Sequence, residues 1–153
     1  MWFEKLTGFC EENSDQVRQN ISVNKDLLTS HVNGKEYSYG LLETPSLEVL
    51  RERVQKDKSS SGIISVRELV ADVQQLHIDP ENAGALFQVA SQFNLLEMVS
   101  PHVTPDQGVD RYEYDGTQGP ACAIAAGAGT IYRNYFVDVN GQKGQSAENQ
   151  LDG

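Results

Sequence analysis

At 153 residues and 16.9 kDa the chain is long enough to bury a core as one domain. Its net charge of −10 disfavours a nucleic-acid backbone or an anionic membrane as main partner, and no apolar run approaches the ~20 residues that span a bilayer. Two distant cysteines, Cys10 and Cys122, and three scattered histidines, His31, His77 and His102, offer no metal-ligand spacing, so neither a metal nor a cofactor is expected and a reduced, cytoplasmic setting is.

Along the chain, Asn13-Ser14-Asp15 before QVRQNI reads as a capped short helix. DLLTSHV and KEYSYG flank Asn33-Gly34, the sequence of a β-hairpin turn. Thr44-Pro45 opens a helix with Leu47, Leu50 and Val54 on one face. KDKSSSG, residues 56–62, reads as a flexible loop. Ser65 and Glu68 form a capping-box pattern, and Val66, Leu69, Val70, Val73 and Leu76 continue as a helical stripe until Asp79-Pro80 stops it. ALFQVAS, residues 85–91, fits a buried strand, residues 100–119 a long loop, and the small-residue stretch from Pro120 to Phe136 a helix. Residues 141–153 form a polar tail with no closing strand or helix, as a truncated end would.

In the last helix Ala123, Gly127 and Ile131 recur every four residues, as do Ala125 and Gly129, a pattern that lets a backbone approach another element closely. Gly116, Gln118 and Gly119 precede it, so unpaired N–H groups at its start could hold a phosphate. The turn contains neither a P-loop nor GxGxxG.

ALFQVASQFNLLEMVSP, TPDQGV and DGTQGPACAIAAGAGTIYRNYF together, within residues 85–136, resemble a conserved family similar to macro domains. In such domains a buried strand ends in an Asn-containing motif, and a glycine-containing turn leads into a helix beside the ADP-ribose diphosphate. Here FQVASQFN is the counterpart of the strand and GTQGP of the turn, with Ser91-Gln92-Phe93-Asn94 in place of Asn-Ala-Ala-Asn. The resemblance implies binding of ADP-ribose or a related nucleotide, free or on an ADP-ribosylated protein, through Asn94, Gln107, Gly108, Gln118, Gly119, Tyr132 and Arg133. It also implies Glu97 and Asp115 as carboxylates that could act on an ADP-ribosyl linkage.

The residues carry other readings as well. Asn94 could satisfy a turn, Glu97 could sit on a solvated helix edge, and Arg133 could form a surface ion pair. Asp110, Glu113 and Asp115 could hold a divalent cation, although solvated charge is the commoner role for such a cluster. Cys122 near a helix start, with His77 or His102 upstream, could be a thiol nucleophile, or a small buried hydrophobe. A third class needs no chemistry: the hairpin and two amphipathic helices form a protein-interaction module, with Trp2, Phe3 and Phe9 anchoring a partner or capping the core. The expected architecture is mixed α/β, a single domain over 1–140. It has an N-terminal helix and hairpin, two amphipathic helices, and a strand-loop-helix unit inside a macro-like core at 63–140.

Overall fold

The computed structural model describes residues 1–40, 43, 45–56, 62–63, 65–85, 102–114 and 123–151. It is mixed α/β, and it divides into one unit of Met1–Gly40 with Asp72–Gly153 and a second of Leu41–Ala71.

The first unit begins with α1 (Trp2–Thr7), which buries Trp2, Phe3 and Thr7. Phe3 meets Trp2 and Phe9 edge-on, with ring centroids 6.1 and 5.3 Å apart. The N-terminal aromatics therefore cap their own core, which settles their role between the two expected. Next, α2 (Ser14–Asn20) is capped as its sequence dictates: the Asn13 side chain accepts from the Gln16 N–H at 2.9 Å.

A three-stranded antiparallel sheet follows, with β1 (Ile21–Asn24), β2 (Leu27–Ser30) and β3 (Glu36–Ser38) in sequential order. Register pairs Ile21 with Ser30 and Leu28 with Tyr37. The expected hairpin is β2–β3; β1 has no counterpart among the expected elements, whose capped helix ends at Ile21, the first residue of this strand. Chain reversal at Lys25, with φ of 56°, makes a second hairpin there.

Val73–Ile78 forms a short helix, α4, which Asp79-Pro80 terminates as expected; a 3₁₀ turn, Pro80–Asn82, follows. The helix was expected to start at the capping box near Ser65, yet the described part of 65–72 forms no helix. Val66, Leu69 and Val70 there are exposed, and a short helix without packing for its apolar stripe is marginal in water. The expected strand at 85–91 lies outside the described residues except for Ala85.

Residues 102–114 hold two 3₁₀ turns, Pro105–Gln107 and Asp110–Tyr114. The small-residue helix is helical at 123–125, breaks at Ala126, and resumes as α5 (Gly127–Tyr135). Of the two expected small-residue rows, the one through Gly127 serves close packing, since an added Cβ there would touch Leu6 and Trp2 at 3.5–3.7 Å. The other does not: Ala125 is exposed and Gly129 has open space around it. The polar end forms a hairpin, β4 (Asp138–Val139) with β5 (Gln142–Lys143), against the expectation of no closing strand. Its turn, Asn140-Gly141, has positive φ at both positions, 52° and 80°. Trp2, Phe3, Val17, Ile21, Leu28, Val109, Tyr112, Ile131 and Tyr135 meet in the core of this unit.

The second unit contains α3 (Leu47–Lys56). The hydroxyl of Ser46 accepts from the Val49 N–H at 3.3 Å, a cap two residues beyond the expected Thr44, which lies outside the described residues. Arg53 pairs with Glu43 at 3.2 Å across exposed surface.

Candidate functional site

Four of the nine residues assigned by the resemblance are described. Gln107 ends a 3₁₀ turn with its side chain exposed. Its amide donates to the His102 carbonyl at 3.1 Å and accepts from the Arg111 guanidinium. Gly108 follows with φ of 80° and ψ of 174°, a conformation open to glycine, and its N–H donates to the Pro105 carbonyl. Tyr132 and Arg133 sit on α5. Asn134, next along, donates to the Pro105 carbonyl at 3.1 Å and so fastens α5 to the turn that carries Gln107 and Gly108. Tyr132 itself meets Tyr39, with rings stacked 4.2 Å apart at 17°. The Arg133 carbonyl accepts from the Gln145 amide at 3.2 Å. Asn94, Glu97, Asp115, Gln118 and Gly119 lie outside the described residues, as does the alternative nucleophile Cys122.

Beyond Gly108 the chain does what no local pattern announced. The N–H groups of Val109 and Asp110 converge on the carboxylate of Glu11 at 2.8–3.0 Å. The Tyr135 hydroxyl donates to the same carboxylate. A Cβ at position 108 would collide with Glu11 Oε2, so a larger residue there would have to displace the carboxylate from its donors, in addition to the strain of the positive φ. Burial pushes the Glu11 carboxyl up, opposed by the hydrogen bonds from Tyr135, Val109 and Asp110. Burial and the facing Glu11 charge hold the Tyr135 phenol far above its usual range, so it remains a donor.

Of the charges expected to be solvated, Asp110 is instead buried against α1, while Glu113 is exposed as expected and also reaches α1. Glu113 Oε2 accepts from the Trp2 N–H at 2.8 Å, and Asp110 Oδ1 accepts from the Phe3 N–H at 3.4 Å. The Trp2 indole donates to the Val109 carbonyl at 3.1 Å. Two carboxylates from the far end of the sequence thereby serve the first amides of α1, whose Ncap side chain makes no such bond. Asp110 is only 4% exposed, and its Oδ2 has no hydrogen-bond partner. Burial is the main reason that its carboxyl is pushed up, with the Phe3 N–H acting against it and Glu113 and Glu4 adding to it.

Among the described residues no group of three His, Cys, Asp or Glu side chains is placed to hold a metal, and no helix is long and apolar enough to cross a membrane. Cys10 is exposed, and the neighbouring Glu4 raises its thiol, which leaves it a poor nucleophile. The Glu11–Tyr135–Asp110 constellation thus anchors the N-terminal segment, whereas the Tyr39–Tyr132 stack presents an aromatic surface. The chain matches no family model, no curated protein and no solved structure.

Proposed function

We propose that the chain is a non-enzymatic interaction module that receives a protein partner on the Leu41–Ala71 unit. The observation that carries this reading is the distribution of apolar surface. Of the thirteen large apolar side chains exposed among the described residues, eight lie in that unit: Leu47, Val49, Leu50, Val54, Ile63, Val66, Leu69 and Val70. Single exposed apolar residues are ordinary, but such a concentration marks a surface awaiting a cover. The test is a melt of the free chain carrying Leu50→Ser and Val54→Ser together. An unchanged Tm, with loss of binding of an apolar dye, supports an outward-facing surface. A drop of several degrees places those side chains in the chain's own core and overturns the reading.

A second reading is binding of ADP-ribose or a related nucleotide, with hydrolysis of an ADP-ribosyl linkage as a further step. One observation favours it: Tyr132, implied by the macro-domain resemblance, forms with Tyr39 a half-buried parallel stack on which a purine could lie. Calorimetric titration with ADP-ribose, beside AMP and ribose phosphate, tests it. Selective binding that Tyr132→Ala weakens at least about tenfold supports this reading, and no heat from a folded chain removes it.

A further inference from the structure

We infer that α3 is the docking helix of this module and that its occupant is an acidic amphipathic helix of another protein; this rests on the interaction reading above. At 100° per residue, Leu47, Leu50 and Val54 form one narrow stripe. They are 67%, 39% and 70% exposed. Arg51 flanks the stripe on one side and Arg53 on the other, while Glu48 and Glu52 fall on the opposite face of the helix. The apolar seam is thus rimmed by positive charge on both edges, although the chain as a whole carries −10.

Helices that pair along a seam place their flanking residues against each other, and opposite charges there select the partner. A second copy of α3 would bring Arg51 and Arg53 against their own kind in either direction, so self-pairing is disfavoured. The complement is a helix with an apolar stripe and glutamates or aspartates along its edges. Arg53 already holds one carboxylate, Glu43, at 3.2 Å with both side chains more than half exposed. Such a surface pair is weak and exchangeable, so an incoming carboxylate could take its place. An anionic bilayer fits less well, because the stripe holds only three residues and the chain's overall charge repels it.

The test uses the full chain and three synthetic helical peptides sharing one leucine seam, with flanks of glutamate, glutamine or lysine, followed by fluorescence anisotropy. The expected result is binding of the glutamate peptide at least about tenfold tighter than the lysine peptide, a preference that shrinks as salt rises. Arg51→Glu with Arg53→Glu should reverse the order, and Leu50→Asp should remove binding of every peptide while leaving the circular dichroism unchanged. Equal affinity for all three peptides overturns the acidic partner but leaves the interaction reading standing. Absence of binding by any peptide, from a chain whose Leu50→Ser, Val54→Ser variant melts early, overturns both. A dimer in sedimentation that Leu50→Asp dissolves, or retention on anionic vesicles that the same change abolishes, replaces the acidic helix by a second copy or by a lipid surface.

Discussion

Tyr135 donates its phenolic hydrogen to the carboxylate of Glu11, joining residues 124 apart in the sequence. The same carboxylate takes the N–H groups of Val109 and Asp110, so three chain segments meet at one side chain. Every donor is spoken for, and the site is therefore built to hold the N-terminal segment in place.

Removing that side chain should be costly. Glu11→Ala would leave two amides and a buried phenol without an acceptor, a loss of about 3 kcal/mol or more. Glu11→Gln keeps an acceptor for the amides and should cost less. Denaturant unfolding of the two variants beside the parent checks the order; a purely electrostatic role for Glu11 would make the two costs equal.

The pH dependence follows from the direction of the shifts. Burial raises the folded-state carboxyls of both Glu11 and Asp110 above their unfolded values. For an acid shifted upward, the stabilisation is fully present below the unfolded value, from about 4 downward, and declines as pH rises through the folded one. Asp110→Asn should therefore raise the Tm at pH 7, where the parent buries a charge with an unpartnered oxygen, and the gain should vanish near pH 4. Melts at both values decide this, and an equal effect at the two would show that ionisation is not the cause.

Gly108→Ala combines a positive-φ, extended backbone open essentially to glycine alone with a collision against Glu11 Oε2, and should cost about 2–4 kcal/mol. Gly34, at φ of 69°, has open space around the added carbon, so Gly34→Ala should cost only about 1 kcal/mol. Chemical denaturation of the pair separates the contact from the strain.

Arg18 serves the C-terminal end of α5, donating to the Tyr135 carbonyl at 3.0 Å and to the Lys143 carbonyl at 2.9 Å. Lysine cannot reproduce that fork, so Arg18→Lys should lose about 1–2 kcal/mol. Hydrogen exchange should show the loss concentrated at the Asp138–Lys143 hairpin, and uniform loss across the unit would argue against the assignment.

Local features of the fold were legible in the sequence, and distant ones were not. The Asn13 cap, the stop at Asp79-Pro80 and the close-packing stripe at Gly127 each depend on residues within a turn or two. Ile21 misled because it lies four residues after Val17, in phase with a helix, and both are buried whether the chain continues or turns into β1. The closing hairpin was hidden by two-residue strands of mostly polar composition, although Asn140-Gly141 carries the same dipeptide that revealed β2–β3. Within the candidate site, Gln107, Gly108, Tyr132 and Arg133 were named from the resemblance alone. Glu11 had no such signal, since its partners lie 98 to 124 residues away and nothing near it in the sequence marks a hydrogen-bonding hub.

The reach of these contacts also governs when the molecule can form. Trp2 and Glu11 leave the ribosome about a hundred residues before Glu113 and Val109, the groups that receive them. At about 5–20 residues per second, this leaves the first helix exposed for about 5–20 seconds of synthesis. During that interval Trp2, Phe3 and the Glu11 carboxylate face water or a chaperone, so assembly of this unit must wait until most of the chain has been made.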